Sequence, residues 1–205
     1  MIPLGVDLER FQPAPRLDAM HAGCPYLLHV GQAYPHKNLA PLIQAFAAVA
    51  AAEPELQLVL AGKPHPRETP RLQALVDERG LGQRVQFRPY VPSEELPELM
   101  AGALAFVYPS LWEGFGLPVL EAMASGTPVL TSLGSGTEEA AGDAALLVNP
   151  GDQGALAAAL RDLITQPRLR DDLRQRGLER VRAYSWERTA HATQVAVGEI
   201  LSELS

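Results

Sequence analysis

Short runs of consecutive apolar residues alternate along the chain with longer segments in which apolar residues recur at helical spacing. Residues 26–30 form one such run, closed by Gly31; Asn38 then opens a segment to about residue 52 in which Leu39, Leu42, Ile43, Phe46 and Val49 share one face. The short pattern returns at residues 56–61 (closed by Gly62), 84–87, 104–108, 128–131 and 145–148. Helical patterns lie between these runs, at residues 70–79, 93–101, 118–125 and 136–141; the first follows Thr69-Pro70, a capping residue before proline at the first helical position. Asp152 is placed to cap a helix to about Thr165, residues 167–183 continue helically, and Ser185 caps a last helix to the C-terminus.

The apolar runs show no polar alternation, as expected for strands covered by helices on both faces of a parallel sheet. The pattern predicts one doubly wound α/β domain with about six parallel strands. In such a sheet a ligand sits outside the carboxyl ends of the strands. The loops after Val30, Ala61, Phe87, Tyr108 and Thr131 are therefore where function is sought.

Composition narrows the class. The chain has 205 residues, 47% hydrophobic and 20% charged, enough for a self-sufficient core and unlike a disordered or disulfide-rich chain. A net charge of −7 argues against a general nucleic-acid binder. The single cysteine, Cys24, has no partner for an internal bridge, which points to a reducing compartment. No apolar run is long enough to span a bilayer and the start lacks a signal-peptide pattern, so the expected location is cytoplasmic.

The loop after the first strand reads Gly31-Gln32-Ala33-Tyr34-Pro35-His36-Lys37-Asn38. It is neither a dinucleotide fingerprint nor a P-loop, but it places Lys37 at a strand-to-helix junction, where charge and helix dipole together favour a phosphate. The loop after the fourth strand, Ser110-Leu111-Trp112-Glu113-Gly114-Phe115-Gly116-Leu117-Pro118-Val119-Leu120-Glu121, puts two glycines before a helix N-terminus. Glycine admits a ligand close to the backbone, and the first helical turn offers unpaired N–H donors. Glu121 stands about one turn inside an otherwise apolar helix, where a carboxylate without a partner is costly. Glu113 alone reads equally well as a solvated loop acid. No Asp-x-Asp occurs and the five histidines are scattered, so no metal site is expected; His29, inside a strand, is read as a satisfied core residue. Trp112 and Trp186 are read as packing anchors, and the alternating charges of residues 168–182 as a solvated helix face.

The segment from Glu113 to Val129, with two glutamates separated by seven residues, resembles the signature of the C-terminal domain of family-4 retaining glycosyltransferases of the GT-B type. Gly5-Val6-Asp7 with Phe11, Gly31 with Lys37-Asn38, Gly62, Gly142-Asp143-Ala144 and Ser185-Trp186-Glu187 are similar to further family positions in the same order. The resemblance implies a Rossmann-like domain that binds a nucleotide-sugar donor with no cofactor or metal. Glu121 would accept hydrogen bonds from the ribose hydroxyls and Glu113 would orient the donor sugar. The backbone of Gly31, Gly114, Phe115, Gly116 and Leu117 would approach the sugar or diphosphate. Lys37 would stabilise the leaving diphosphate, which with Glu113 makes these two the expected catalytic residues. The stretch Arg88-Pro89-Tyr90-Val91 matches the loop where the family holds its base, with Tyr90 as a stacking face.

Residues 1–24 then correspond to a linker-derived segment, 25–184 to the donor-binding domain, and 185–205 to a helix that crosses back to an N-terminal acceptor domain. That domain, or a partner chain, is expected to be needed for transfer. Two departures stand out: Gln32 occupies a position where the family usually has arginine, and Glu138-Glu139 replaces a Pro-Glu pair. The Pro35-His36-Lys37-Asn38 loop resembles mannosyl-type members and favours a GDP-sugar over a UDP-sugar. Peripheral membrane contact through the arginine-rich helix and homodimerisation through Val195, Val197, Ile200 and Leu201 are secondary expectations. The competing readings are a non-catalytic relic or interaction module, and a sugar-nucleotide epimerase-like relative.

Overall fold

The computed structural model describes residues 2–13, 20–21 and 24–203. A two-residue strand β1 (Met20–His21) pairs antiparallel with the start of β2 (Cys24–Val30). A 3-10 turn (Pro35–Lys37) leads into α1 (Leu39–Ala50), followed by β3 (Gln57–Ala61), α2 (Glu68–Glu78), β4 (Val85–Arg88) and α3 (Leu96–Ala101). The second half runs β5 (Ala105–Tyr108), α4 (Leu117–Ala124), β6 (Val129–Ser132), α5 (Gly136–Ala141), β7 (Leu146–Val148), α6 (Gln153–Thr165), α7 (Pro167–Val181) and α8 (Trp186–Glu203).

The six long strands are all parallel, in the order β4-β3-β2-β5-β6-β7. With β1 set aside this is the doubly wound order whose direction reverses between β2 and β5, and a ligand crevice opens at that switch point. Alternate strand residues feed two cores. Leu27, Leu58 and Val107 pack under α1, α2 and α6, while Leu28, Val59 and Phe106 pack under α3, α4 and α5. Phe46, Ile43 and Leu42 of α1 are fully buried, each contributing roughly 1.5–3 kcal/mol. The expected single doubly wound α/β domain is the one observed.

Two caps differ from the expectation. Asn38 stands at the N-cap position of α1 but in the left-handed region (φ 59°), and its side chain makes no capping bond. Its amide instead donates to Pro150 O at 2.8 Å, tying the β2 loop to the segment before α6. Helix α2 starts one residue before Thr69: the His65 ring nitrogen accepts from the N–H groups of Arg67 (3.3 Å) and Glu68 (3.1 Å), while Thr69 Oγ1 accepts from His65 N at 2.9 Å. This reciprocal arrangement works like a capping box with an imidazole in the cap's place.

The N-terminal segment belongs to the packed unit. Val6 and Phe11 are buried in the second core, Val6 N–H donates to Tyr184 O at 3.1 Å, and a Cβ on Gly5 would stand 2.5 Å from the backbone of Ser185. The expected linker segment includes residues 1, 14–19 and 22–23, which lie outside the described residues, as do residues 204–205 of the last helix. Among the described residues no helix is long and apolar enough to cross a membrane. Helix α7 is not purely a solvated face: Arg170 donates to the last carbonyls of α6, Leu163 O and Ile164 O, and Arg180 donates to Glu139 O and Ala140 O.

Candidate functional site

The loops after β2 and β5 flank the switch point, and each delivers one charged side chain to it. Lys37 ends the 3-10 turn; its residue is only 8% exposed, and Nζ donates to Glu113 Oε1 at 2.6 Å and to the Tyr108 hydroxyl. Nζ also lies 4.7 Å from the centroid of the Tyr108 ring. An ammonium has three donors, so one remains for a further acceptor. Leu111 N–H donates to His36 O at 2.7 Å, which pins the two loops together.

Burial works against the Glu113 anion, but the hydrogen bond and charge of Lys37, with the neighbouring Ser110 and Tyr108 hydroxyls, outweigh it and hold its pKa below the ordinary carboxylate value. The Ser110 hydroxyl is fully buried and makes no hydrogen bond of ordinary geometry, so its effect on Glu113 is that of a nearby dipole. Burial raises the Tyr108 pKa well above its usual value, and the charges of Glu113 and Glu121 push it the same way. Tyr108 is therefore a neutral hydroxyl between a cation and two acids. Sequence reading missed it because it is the last apolar position of a strand.

The second acid is differently placed. Glu121 is half-buried in α4, and its pKa is raised by burial, opposed by the nearby Arg10 charge. Its carboxylate accepts no hydrogen bond from a described residue. Arg10 is itself held by a 2.5 Å bond to Ser93 O, in the loop that follows Tyr90. That link was not legible in sequence, since it joins the N-terminal segment to the β4 loop.

The glycines before α4 have structural causes. Gly116 is the N-cap of α4 at φ 111°, and a Cβ there would lie 2.9 Å from the Thr137 side chain. The backbones of Gly114 and Gly136 approach so closely that a Cβ on Gly136 would stand 2.6 Å from Gly114 C; Gly136 N–H donates to Glu113 O at 3.1 Å. The start of α5 thus buttresses the loop that carries Glu113. In the first turn of α4 only the Leu117 N–H is left without an intrahelical partner: Pro118 has no N–H, and Val119 and Leu120 donate to Gly116 O at 2.9 and 3.4 Å. The Phe115 side chain turns inward against Tyr184, so only its backbone is available to a ligand.

The structure brings together Gly31, Lys37, Glu113, Gly114, Phe115, Gly116, Leu117 and Glu121 at the carboxyl edge of β2 and β5. Tyr90 lies on the β4 loop with 75% of its surface exposed and no ring contact to this group. Gln32 is half-buried, with no cation in its place. His29 is not the satisfied core residue expected from sequence. One ring nitrogen bonds Val107 O at 3.0 Å, but Nε2 is buried with no hydrogen-bond partner among the described residues, on the wall of a 220 Å³ pocket it shares with Leu60, Thr69, Gln73 and Phe87. Burial lowers its pKa to about 4, so the ring is neutral. Trp112 and Trp186 are not packing anchors either, with 63% and 48% of their surfaces exposed. Among the described residues no group of three or more His, Cys, Asp or Glu is placed to hold a metal ion.

Comparison with known proteins places the chain in a family. The chain is 38% identical over 164 residues to the O-antigen chain mannosyltransferase B of Escherichia coli, covering 79% of this chain and 42% of that protein. Its fold matches sucrose-phosphate synthase from Thermosynechococcus elongatus with a TM-score of 0.86 and 33% identity, over 98% of this chain and 52% of that one. It also matches Anabaena HepE, solved in complex with UDP and glucose, with a TM-score of 0.84; at 20% identity, over 95% of this chain and 55% of that one, this likeness is one of fold. The chain spans between 42% and 50% of the length of the curated relatives it matches. The profile of the family described as glycosyl transferases group 1 matches residues 19–180, and the chain belongs to that family.

Proposed function

We propose that this chain is the nucleotide-sugar-binding half of a retaining glycosyltransferase, which transfers a hexose only together with an acceptor-binding unit. The observation that carries this reading is the half-buried Glu121 carboxylate, which no described residue hydrogen-bonds, near a buried lysine with a donor to spare. An acid kept partly out of water without a partner is costly, and vicinal ribose hydroxyls supply the donors it lacks.

The rest follows from the donor inventory. The remaining N–H of Lys37, with the Leu117 N–H at the start of α4, meets the diphosphate, and the cation lowers the barrier as charge develops on the leaving group. Glu113 has one oxygen engaged by Lys37 and presents the other to a sugar hydroxyl. The ion pair fixes both groups before the ligand arrives, so little ordering remains at binding. The nucleoside diphosphate departs with the bonding electron pair, and the acceptor hydroxyl oxygen takes its place on the same face of the anomeric carbon, its proton passing to the leaving phosphate. Similarity to an O-antigen mannosyltransferase favours mannose, and the Pro35-His36-Lys37-Asn38 loop favours GDP over UDP. No cofactor or metal takes part in this scheme. The acceptor unit would meet α8, where Val195, Val197, Ile200 and Leu201 are exposed.

Thermal unfolding with UDP, GDP, ADP, dTDP and their sugars tests the reading. A ligand at about 100 times its dissociation constant stabilises by roughly 2.7 kcal/mol, a rise of about 5–11 °C for a domain of this size. One nucleotide should give such a shift, and Glu121→Ala and Lys37→Ala should each lose it. No shift with any nucleotide at millimolar concentration, or a shift that survives in both variants, overturns it.

A further inference from the structure

Three loops at the carboxyl edge each contribute an aromatic ring to one continuous strip. His65, from the β3 loop, lies 5.4 Å from Tyr34, centroid to centroid; Tyr34 stacks on His36 at 5.7 Å, and His36 stacks on Trp112 at 4.5 Å. The strip is held at both ends. The His65 ring is fixed by the two N–H groups it caps, and the backbone bond between Leu111 and His36 joins the two loops that carry the other rings.

The strip is also open to solvent: Trp112 is 63%, Leu111 48% and Tyr34 42% exposed. Apolar residues scattered singly over a surface need no explanation, but a pre-ordered series across three loops marks a contact site. We propose that Trp112, His36, Tyr34 and His65 form a stacking platform for a pyranose ring of the acceptor saccharide. The assignment rests on the donor-half reading, because it takes its position from the site described above.

The chemistry selects this ligand. Trp112 and His36 directly precede Glu113 and Lys37 in the chain, so their stack spans the two loops that carry the pair proposed to hold the transferred sugar. The strip contains no carboxylate, lysine or arginine; one His65 ring nitrogen accepts two N–H bonds, and burial with the Lys37 charge lowers the His36 pKa. The cation that suits a diphosphate is buried beneath it. Flat ring faces with N–H edges fit a ligand with an apolar C–H face and a hydroxylated rim.

The test uses the whole chain carrying Trp186→Phe, so that Trp112 is its one indole. Methyl α-D-mannopyranoside and methyl α-D-glucopyranoside are titrated with and without UDP or GDP, read by Trp112 emission and by saturation-transfer NMR. At least one glycoside should give a saturable response. Trp112→Ala should weaken it about tenfold, and Trp112→Phe, which keeps a flat ring, should restore most of it. The nucleotide-induced melting shift should be unchanged in Trp112→Ala. A nucleotide shift with no saturable glycoside response overturns the platform alone. So does glycoside binding that persists in Trp112→Ala, or an equal loss of nucleotide and glycoside binding in that variant, which would make the ring a support for the ion pair. A glycoside response that meets these criteria without any nucleotide shift keeps the platform and overturns the donor-half reading.

Discussion

Two glutamates with seven residues between them, one on the loop before α4 and one inside it, meet opposite surroundings. Glu113 is paired with Lys37 and Tyr108, and its pKa falls; Glu121 is comparably removed from water but accepts a hydrogen bond from no described residue, and its pKa rises. The first acid is built into the folded protein and the second waits for something. A group that stabilises the empty protein should be hard to lose, whereas a group kept for a ligand should cost stability until the ligand binds.

Lys37→Ala breaks that contrast most severely. It leaves Glu113 without its cation and removes a hydrogen bond from Tyr108. Removing one member of a buried ion pair costs about 3–5 kcal/mol, and the pair's partial exposure places this case at the low end. Urea unfolding should show a loss of about 3 kcal/mol together with the loss of any nucleotide-induced shift. A loss of nucleotide response at unchanged stability would mean that the ion pair forms only with ligand bound.

The next effect is read by pH and comes from His29, beneath Tyr108 with its ring 5.2 Å away. Its folded pKa of about 4 lies below the ordinary imidazole value of 6.5, so between these values the unfolded chain binds more protons. Stability therefore falls as pH drops from 6.5 to 4, by on the order of 3 kcal/mol. Glu113 acts lower: its depressed pKa gives stability that is present above its ordinary value and lost as pH falls through the folded one. His29→Gln should flatten the upper limb and leave the lower, as followed by melting temperature against pH. An unchanged upper limb would show that His29 is protonated in the folded protein.

Much of this architecture was legible because burial leaves a simple record. The strands at residues 26–30, 56–61 and 104–108 read as unbroken apolar runs, and Lys37, Glu113 and Glu121 stand out as charges at strand ends or in an apolar helix. What was not legible depends on partners distant in the chain. Tyr108 looks like a strand terminus until Lys37 folds onto it, and Arg10 like a surface arginine until Ser93 receives it. Asn38 carries the composition of a helix cap, yet its left-handed backbone sends the side chain to Pro150. Trp112 has the size of a core residue, but its neighbours are rings on exposed loops rather than the two cores.

The smallest effect is the most discriminating, because its two readouts should move in opposite directions. Glu121→Gln removes a charge that burial opposes and keeps the shape of the side chain. Since the folded Glu121 holds its proton more tightly than the unfolded chain does, the wild type loses stability as pH rises through the interval above 4.5, and the variant does not. Above that interval the empty variant should be more stable than wild type by up to about 1 kcal/mol, after allowance for the solvent that still reaches the group. Its nucleotide affinity should fall by roughly tenfold, since an amide accepts one strong hydrogen bond where a carboxylate accepts two. Denaturant unfolding and calorimetric titration with the nucleotide that shifts the wild type give both numbers. If stability and affinity fall together, Glu121 already has a partner in the empty protein, and the distinction between a structural acid and a waiting one fails.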